Sequence, residues 1–132
     1  MLLLDTHILV WLDQGSDLLG RRARRVIEEA FLREELGVAT ISFWEIGMLV
    51  AQKRIEFKGQ LSEWRVTLLN SGILEFPPDG TITLAAAGFR DFPGDPVDRL
   101  IAATTLAEEA RLVTADDRLV GHRGIKTING LN

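Results

Sequence analysis

Short apolar runs alternate with longer helical patterns along the whole of this sequence. The five runs with strand character are Leu2 to Leu4, Val38 to Thr40, Ile73 to Phe76, Leu112 to Thr114 and Ile125 to Ile128. The stretches between them carry helical spacing, in which apolar residues recur at intervals of three and four. Such an alternation predicts an α/β fold, a three-layer α/β/α sandwich around a central, mostly parallel five-stranded sheet.

Six stretches are predicted to form helices. They are Thr6 to Leu12, Gly20 to Leu36, Ser42 to Gln52, Leu61 to Asn70, Ile82 to Gly88, and Asp95 to about Ala110. Asp95 and Pro96 predict a helix start, with Asp as the N-cap and Pro in the first helical position, and Gly37 is predicted to cap the second stretch. Phe92 to Asp95 are expected to form a loop. Because no repeat or linker interrupts the pattern, residues 1–132 are predicted to be a single domain.

The composition excludes several classes of protein. The chain is 46% hydrophobic and 26% charged, which is typical of an ordered globular protein. Its longest apolar runs are far shorter than the ~20 residues that span a bilayer, and its start does not resemble a signal peptide. The absence of cysteine excludes disulfides, thiolate metal sites and thiol catalysis. We therefore expect a cytoplasmic protein with no membrane partner.

The charge balance bears on nucleic-acid binding. A net charge of −4 argues against a protein whose whole surface binds polyphosphate, but it leaves room for a local basic strip. Basic residues do cluster, between Arg21 and Arg25 and again between Lys53 and Lys58. From the sequence, each cluster is either a solvated helix face or part of such a strip.

Acidic side chains occur where the predicted strands end. Asp5 ends the first strand, and Glu45 and Asp98 lie in the first turns of predicted helices. Asp116 and Asp117 directly follow the fourth strand. Right-handed crossovers place the carboxyl ends of parallel strands, and the starts of the helices that follow them, at one edge of the sheet. The sequence therefore predicts that carboxylates from four segments meet at this edge.

Each carboxylate also has an ordinary structural explanation. Ser42 and Glu45 fit a capping box, Asp98 can serve the N-terminus of its helix, and Asp5 and Asp116 fit turn or N-cap positions. Four converging carboxylates, however, would repel one another unless a cation intervened. Mg²⁺ binds through a small number of carboxylates, retains waters and shares its shell with phosphates. Together the four acids predict a Mg²⁺ or Mn²⁺ site for phosphoryl chemistry.

Three strings give the chain a resemblance to a known family. MLLLDTHILVWL, ISFWEIGMLVAQKRIEF and DPVDRLIAATTLAEEARLVTAD, in this order, resemble PIN-domain ribonucleases, and most of all the VapC toxins of bacterial toxin–antitoxin pairs. The resemblance covers nearly the whole chain. It implies a PIN-like fold and a Mg²⁺ or Mn²⁺ site, built by four acids, that hydrolyses RNA. Those four acids match Asp5, Glu45, Asp98 and Asp116.

The resemblance also implies accessory residues. Thr114 matches a position whose hydroxyl supports the metal site, and Thr6 is a second candidate for such support. Asp117 is expected to be an accessory ligand or a cap. Arg99 is expected either to contact RNA phosphate or to pair with a neighbouring carboxylate. His7 is expected to be a surface or packing residue of its helix.

The implied partners are an RNA substrate, a cognate VapB-type antitoxin and a second copy of the chain in a homodimer. The family binds its antitoxin in a groove between helices, where aromatic anchors are suitable. The candidate anchors, which equally suit ordinary core packing, are Trp11, Phe43, Trp44 and Trp64.

Two other functions compete with a metal-dependent endoribonuclease. The first is a catalytically silent PIN-like binding module, although all four expected acids are present. The second is a phospho-acceptor receiver domain, which requires paired acids after the first strand and an aspartate after the third. Here the first strand ends with Asp5 alone, and the third ends in Phe76, Pro77 and Pro78.

Overall fold

The strand Leu2–Leu4 (β1) is buried on both faces, as expected for the centre of a parallel sheet. The computed structural model of the protein describes residues 1–90, 92 and 95–132. The other strands are Leu36–Ala39 (β2), Leu74–Phe76 (β3), Arg111–Thr114 (β4) and Thr127–Asn129 (β5). They form one sheet in the order β3-β2-β1-β4-β5, and every pair of neighbours is parallel. The predicted five-stranded sheet is confirmed.

Six helices lie in the described part of the chain. They are Thr6–Gln14 (α1), Arg21–Leu32 (α2), Ile41–Ala51 (α3), Leu61–Ser71 (α4), Gly80–Ala87 (α5) and Pro96–Ala107 (α6). None of them combines the length and the apolar character that crossing a membrane requires. Of the loop predicted from Phe92 to Asp95, residues 93 and 94 lie outside the described residues.

The two faces of the sheet bury two clusters of apolar side chains. Leu2 and Leu4 point into a core shared with Ile8 of α1 and Ile27 of α2. Leu3 points to the opposite face, into a core that includes residues of α6. This alternation follows from the two-residue period of a strand. It produces the predicted α/β/α sandwich.

The second helix differs from its prediction. It ends at Leu32, and Leu36, which was predicted to lie in the helix, begins β2 beside Leu2. Glu34 has a φ of +59°, so the chain turns out of the helix before reaching Gly37. Gly37 is therefore not a helix cap but a strand residue, and a Cβ there would overlap the ring of Phe76.

The strand order reverses at β1. From β1 the chain builds outward through β2 to β3, and it then returns to place β4 on the other side of β1. In open α/β sheets, ligand sites form at the carboxyl ends of the strands beside such a switch point. The loops that follow β1 and β4 therefore border the expected site.

Candidate functional site

A cleft of about 470 Å³ opens beside the carboxyl ends of β1 and β4. All four predicted acids line it: Asp5, Glu45, Asp98 and Asp116. They come from four separate segments: Asp5 follows β1, Glu45 lies in α3, Asp98 in the first turn of α6, and Asp116 follows β4. We call this space the acidic cleft.

Asp5 is fixed in place by two hydrogen bonds. One carboxylate oxygen accepts from the backbone N–H of Thr6 at 2.9 Å, so Asp5 is also the N-cap of α1. The other accepts from the hydroxyl of Thr114 at 2.7 Å. Burial raises the pKa of Asp5, and these hydrogen bonds oppose the rise. The Thr114 hydroxyl therefore supports a predicted site carboxylate.

Glu45 is not part of a capping box. The helix α3 begins two residues earlier than that motif requires, with Thr40 as its N-cap and Ser42 inside the helix. Ser42 is buried and accepts a hydrogen bond from the hydroxyl of Thr6 at 3.1 Å. Glu45 is thus left to line the acidic cleft, where burial raises its pKa and the charge of Asp5 adds to the rise.

Asp98 fulfils both of the roles considered for it, one at the N-terminus of its helix and one as a carboxylate of the site. Its backbone N–H donates to Asp95 at 3.0 Å, and its carboxylate accepts from the backbone N–H of Asp95 at 3.3 Å, which completes a capping box. The same carboxylate lines the acidic cleft. Burial raises the pKa of Asp98 to about 7, and the charges of Asp95 and Asp5 contribute.

Asp116 is paired with Arg118, a residue that the sequence analysis did not identify. The guanidinium donates through Nη2 to Oδ2 at 2.6 Å and through Nε to Oδ1 at 3.1 Å. Nη2 also lies 3.7 Å from Oδ2 of Asp98. This pairing lowers the pKa of Asp116. The spacing of Asp116 and Arg118 was the only available signal, and it has no meaning until the turn after β4 is known.

The remaining predicted residues are less central. Asp117 is exposed and, unlike Asp116, does not line the acidic cleft. Arg99 forms no ion pair with a described residue, and its buried Nε has no acceptor among them. His7 is exposed, as expected, and lies at the cleft wall with Trp11.

The side-chain oxygens of the acidic cleft are ligands of the kind that a hard divalent cation prefers. Carboxylates are the main oxygen donors that line the acidic cleft, beside His7, Arg54 and Arg118. Burial with mutual repulsion raises the pKa of three of the acids, a cost that a cation would relieve. Within the described residues, however, no three acidic or histidine side chains are grouped closely enough to hold an ion directly. This arrangement fits Mg²⁺ with one or two direct carboxylates and several waters.

Comparison with known proteins points to one family. The family model described as "PIN domain" matches residues 2–123. The chain is 37% identical over 121 residues to "Ribonuclease VapC22" of Mycobacterium tuberculosis, a match that covers 92% of this chain and 91% of that protein.

Solved structures share the fold. One is a toxin–antitoxin complex from Klebsiella pneumoniae, with a TM-score of 0.68, 22% identity and 98% coverage of each chain. Another is VapBC2 from Rickettsia felis bound to a DNA fragment from their promoter, with a TM-score of 0.71, 18% identity and 97% coverage of each chain. At such identities these matches establish the fold alone.

Proposed function

The chain belongs to the PIN-domain family, and on that premise we propose that it is a metal-dependent endoribonuclease, the toxin of a type II toxin–antitoxin pair. The observation that carries this proposal is the acidic cleft, where Asp5, Glu45, Asp98 and Asp116 converge from four segments at the switch point of the sheet. The identity to a named VapC ribonuclease supports the choice of RNA as substrate.

The four acids would hold Mg²⁺, or Mn²⁺ in its place. A bound ion supplies Lewis-acid polarisation of the scissile phosphate and lowers the pKa of a coordinated water. Thr114 and Thr6 fix the carboxylate of Asp5, so this group is positioned before any ligand arrives. Because the pKa of Asp98 is about 7, the metal-free chain carries a proton there in part at neutral pH, and a cation held by this carboxylate would displace it.

The guanidinium of Arg118 can pair either with the carboxylates of the acidic cleft or with a phosphate of the substrate. It neutralises Asp116 and approaches Asp98 while the acidic cleft holds only protein groups. If these carboxylates held a cation, the guanidinium of Arg118 would be free to bind a phosphate oxygen of the substrate, for which its planar fork of donors is suited.

We also propose the partners that the family resemblance implies, a VapB-type antitoxin and a homodimer. Among the candidate anchors, Trp44 is exposed at 57% and is free to meet a partner. Phe43 and Trp64 instead pack edge to face with ring centroids 5.9 Å apart, which is ordinary core packing. Sedimentation should give a dimer at micromolar concentration, and a monomer would contradict the dimer.

The competing functions have less support. A receiver domain needs an aspartate after β3, where this chain has Pro77 and Pro78. A silent PIN-like module would not need the four acids and their supporting threonines. The test is hydrolysis of a single-stranded RNA by the purified chain with Mn²⁺ or Mg²⁺. We expect cleavage that EDTA abolishes; binding without cleavage in either metal would favour the silent module.

A further inference from the structure

A second cavity of about 760 Å³ adjoins the acidic cleft. Four residues line both spaces, namely His7, Trp11, Leu49 and Arg54. One wall of this cavity is α1, and the other is formed by Ile55 to Lys58 and by Trp64 of α4. We call it the side groove. Because it shares a wall with the acidic cleft, an extended ligand can occupy both.

Two cations of the side groove are available to a ligand. Arg54 and Lys58 are exposed, and neither forms an ion pair with another described residue. Arg54 lines both spaces and so stands at their junction, whereas the carboxylates of Asp13 and Glu56 line only the side groove. A chain of phosphates leaving the acidic cleft would therefore meet Arg54 first.

Aromatic rings lie beside these cations. Trp11 lines both spaces, and Phe57 and Trp64 line the side groove with ring centroids 5.3 Å apart. Trp11 and Phe57 are only partly buried, so part of each ring remains accessible. Cations that track a backbone, combined with rings on which bases stack, are typical of surfaces that bind single-stranded nucleic acid.

Resting on the proposed function, we infer that the side groove binds the nucleotides next to the scissile phosphate of a single-stranded RNA. Arg54 and Lys58 contact the phosphates, and Trp11 and Phe57 stack with bases. A peptide segment of an antitoxin is the alternative occupant. The unpaired cations beside the route into the acidic cleft favour the polyanion.

The test measures binding without cleavage. The affinity of the purified chain for a fluorescein-labelled uridine dodecamer is measured by anisotropy in EDTA at several KCl concentrations. The variant Arg54→Ala/Lys58→Ala should bind more weakly, and its slope of log K against log salt should be smaller by about 1.4, the value for two lost phosphate contacts on a single strand. Phe57→Leu should weaken binding and leave that slope unchanged, because stacking releases no counterions.

A matched control removes the same charge elsewhere. Arg21 and Arg25 are exposed on α2 and line neither the acidic cleft nor the side groove, so Arg21→Ala/Arg25→Ala should leave the slope unchanged. An equal loss in both double variants, an unchanged slope in the groove variant, or no binding by the wild type would overturn the inference. So would a groove variant that binds RNA normally but no longer co-purifies with a co-expressed antitoxin.

The failure of the proposed function would look different. Suppose that the wild-type chain binds the dodecamer through Arg54 and Lys58 but cleaves no RNA in Mn²⁺ or Mg²⁺. This result would support the inference about the side groove and contradict the proposed endoribonuclease activity. Conversely, suppose that the groove variant cleaves RNA in a metal-dependent manner with the rate and the RNA affinity of the wild type. That result would support the proposed activity and contradict RNA binding in the side groove.

Discussion

Arg118 competes directly with any cation that binds Asp116. Its guanidinium uses both carboxylate oxygens of Asp116, yet its own side chain is 57% exposed. Solvent screens a pair as exposed as this one, which weakens the attraction between its charges. The pair is therefore strong enough to order the metal-free site and weak enough for a divalent ion to displace.

Replacing Arg118 by Gln should tighten Mn²⁺ binding at neutral pH. The variant leaves Asp116 without its competing cation, and the expected gain in affinity is modest, because solvent already screens the pair. Titration of free Mn²⁺ by electron paramagnetic resonance measures it. Weaker binding in the variant would show that Arg118 positions the carboxylate instead of competing for it.

At the level of single residues, the sequence predicted which carboxylates lie at the edge of the sheet, but not their hydrogen-bond and ion-pair partners. The positions of Asp5 and Asp116 at strand ends were sufficient to place them at one edge. The family resemblance implied that the hydroxyl of Thr114 supports the site, but its hydrogen bond to Asp5 is known only from the structure. Arg118 could not be predicted, because its pairing depends on the backbone of the turn after β4.

Among the elements, α6 has a carboxylate in its first turn that stabilises the helix N-terminus but is repelled by neighbouring carboxylates. Asp98 completes the capping box whose N-cap is Asp95. Burial, with the charges of Asp95 and Asp5, raises the folded pKa of Asp98 to about 7 from the ordinary value of 3.8. A group with a raised folded pKa binds its proton more tightly in the folded chain. Its contribution to stability is present at low pH and is lost as pH rises towards 7.

Without metal, Asp98→Asn should therefore stabilise the fold above about pH 7. Asparagine retains an oxygen that can accept from the N–H of Asp95, so the cap survives while the charge is lost. The difference from wild type should shrink as pH falls from 7 towards 4, by at most about 1.4 kcal/mol per pH unit. Urea unfolding in EDTA at several pH values measures this. A destabilised variant at pH 7.5 would mean that Asp98 mainly serves its helix.

The strand β2 depends on a residue without a side chain. A Cβ at Gly37 would overlap the ring of Phe76 in β3 and lie 3.3 Å from the carbonyl oxygen of Leu74. Gly37→Ala should therefore cost about 1–3 kcal/mol of unfolding free energy. Gly47 lies inside α3, and a Cβ added there would meet open space, so Gly47→Ala should instead stabilise by about 0.5–1 kcal/mol. Chemical denaturation compares the two; a neutral Gly37→Ala would show that the Phe76 ring moves aside freely.

Element types were easier to predict than their limits. Periodicity identified α2, but the predicted helix extended to Leu36 because Gly37 fits the position of its C-cap. Leu36 belongs to β2 because it pairs beside Leu2 and is only 1% exposed. That preference is set by the tertiary core, which a local pattern does not contain.

On the scale of the whole molecule, strand order creates the proposed site. A parallel sheet alone predicts that strand ends share an edge, but the reversal at β1 is what brings the loops after β1 and β4 together. The side groove was beyond prediction, because the segment from Ile55 to Lys58 that forms its wall has no regular structure. The single domain, the cytoplasmic location and the homodimer remain predictions.

The most direct measurement is the rate of RNA cleavage in Mn²⁺ by Asp116→Asn and Asp117→Asn, compared with the wild type. These neighbours undergo the same change of charge, but only Asp116 lines the acidic cleft. Because Asp116 is a proposed metal ligand, its replacement should cost more than the 10- to 100-fold that is typical of losing a supporting partner. We therefore expect Asp116→Asn to lose more than about 100-fold and Asp117→Asn to stay within about threefold of wild type. Equal rates for the two variants would contradict the proposed site.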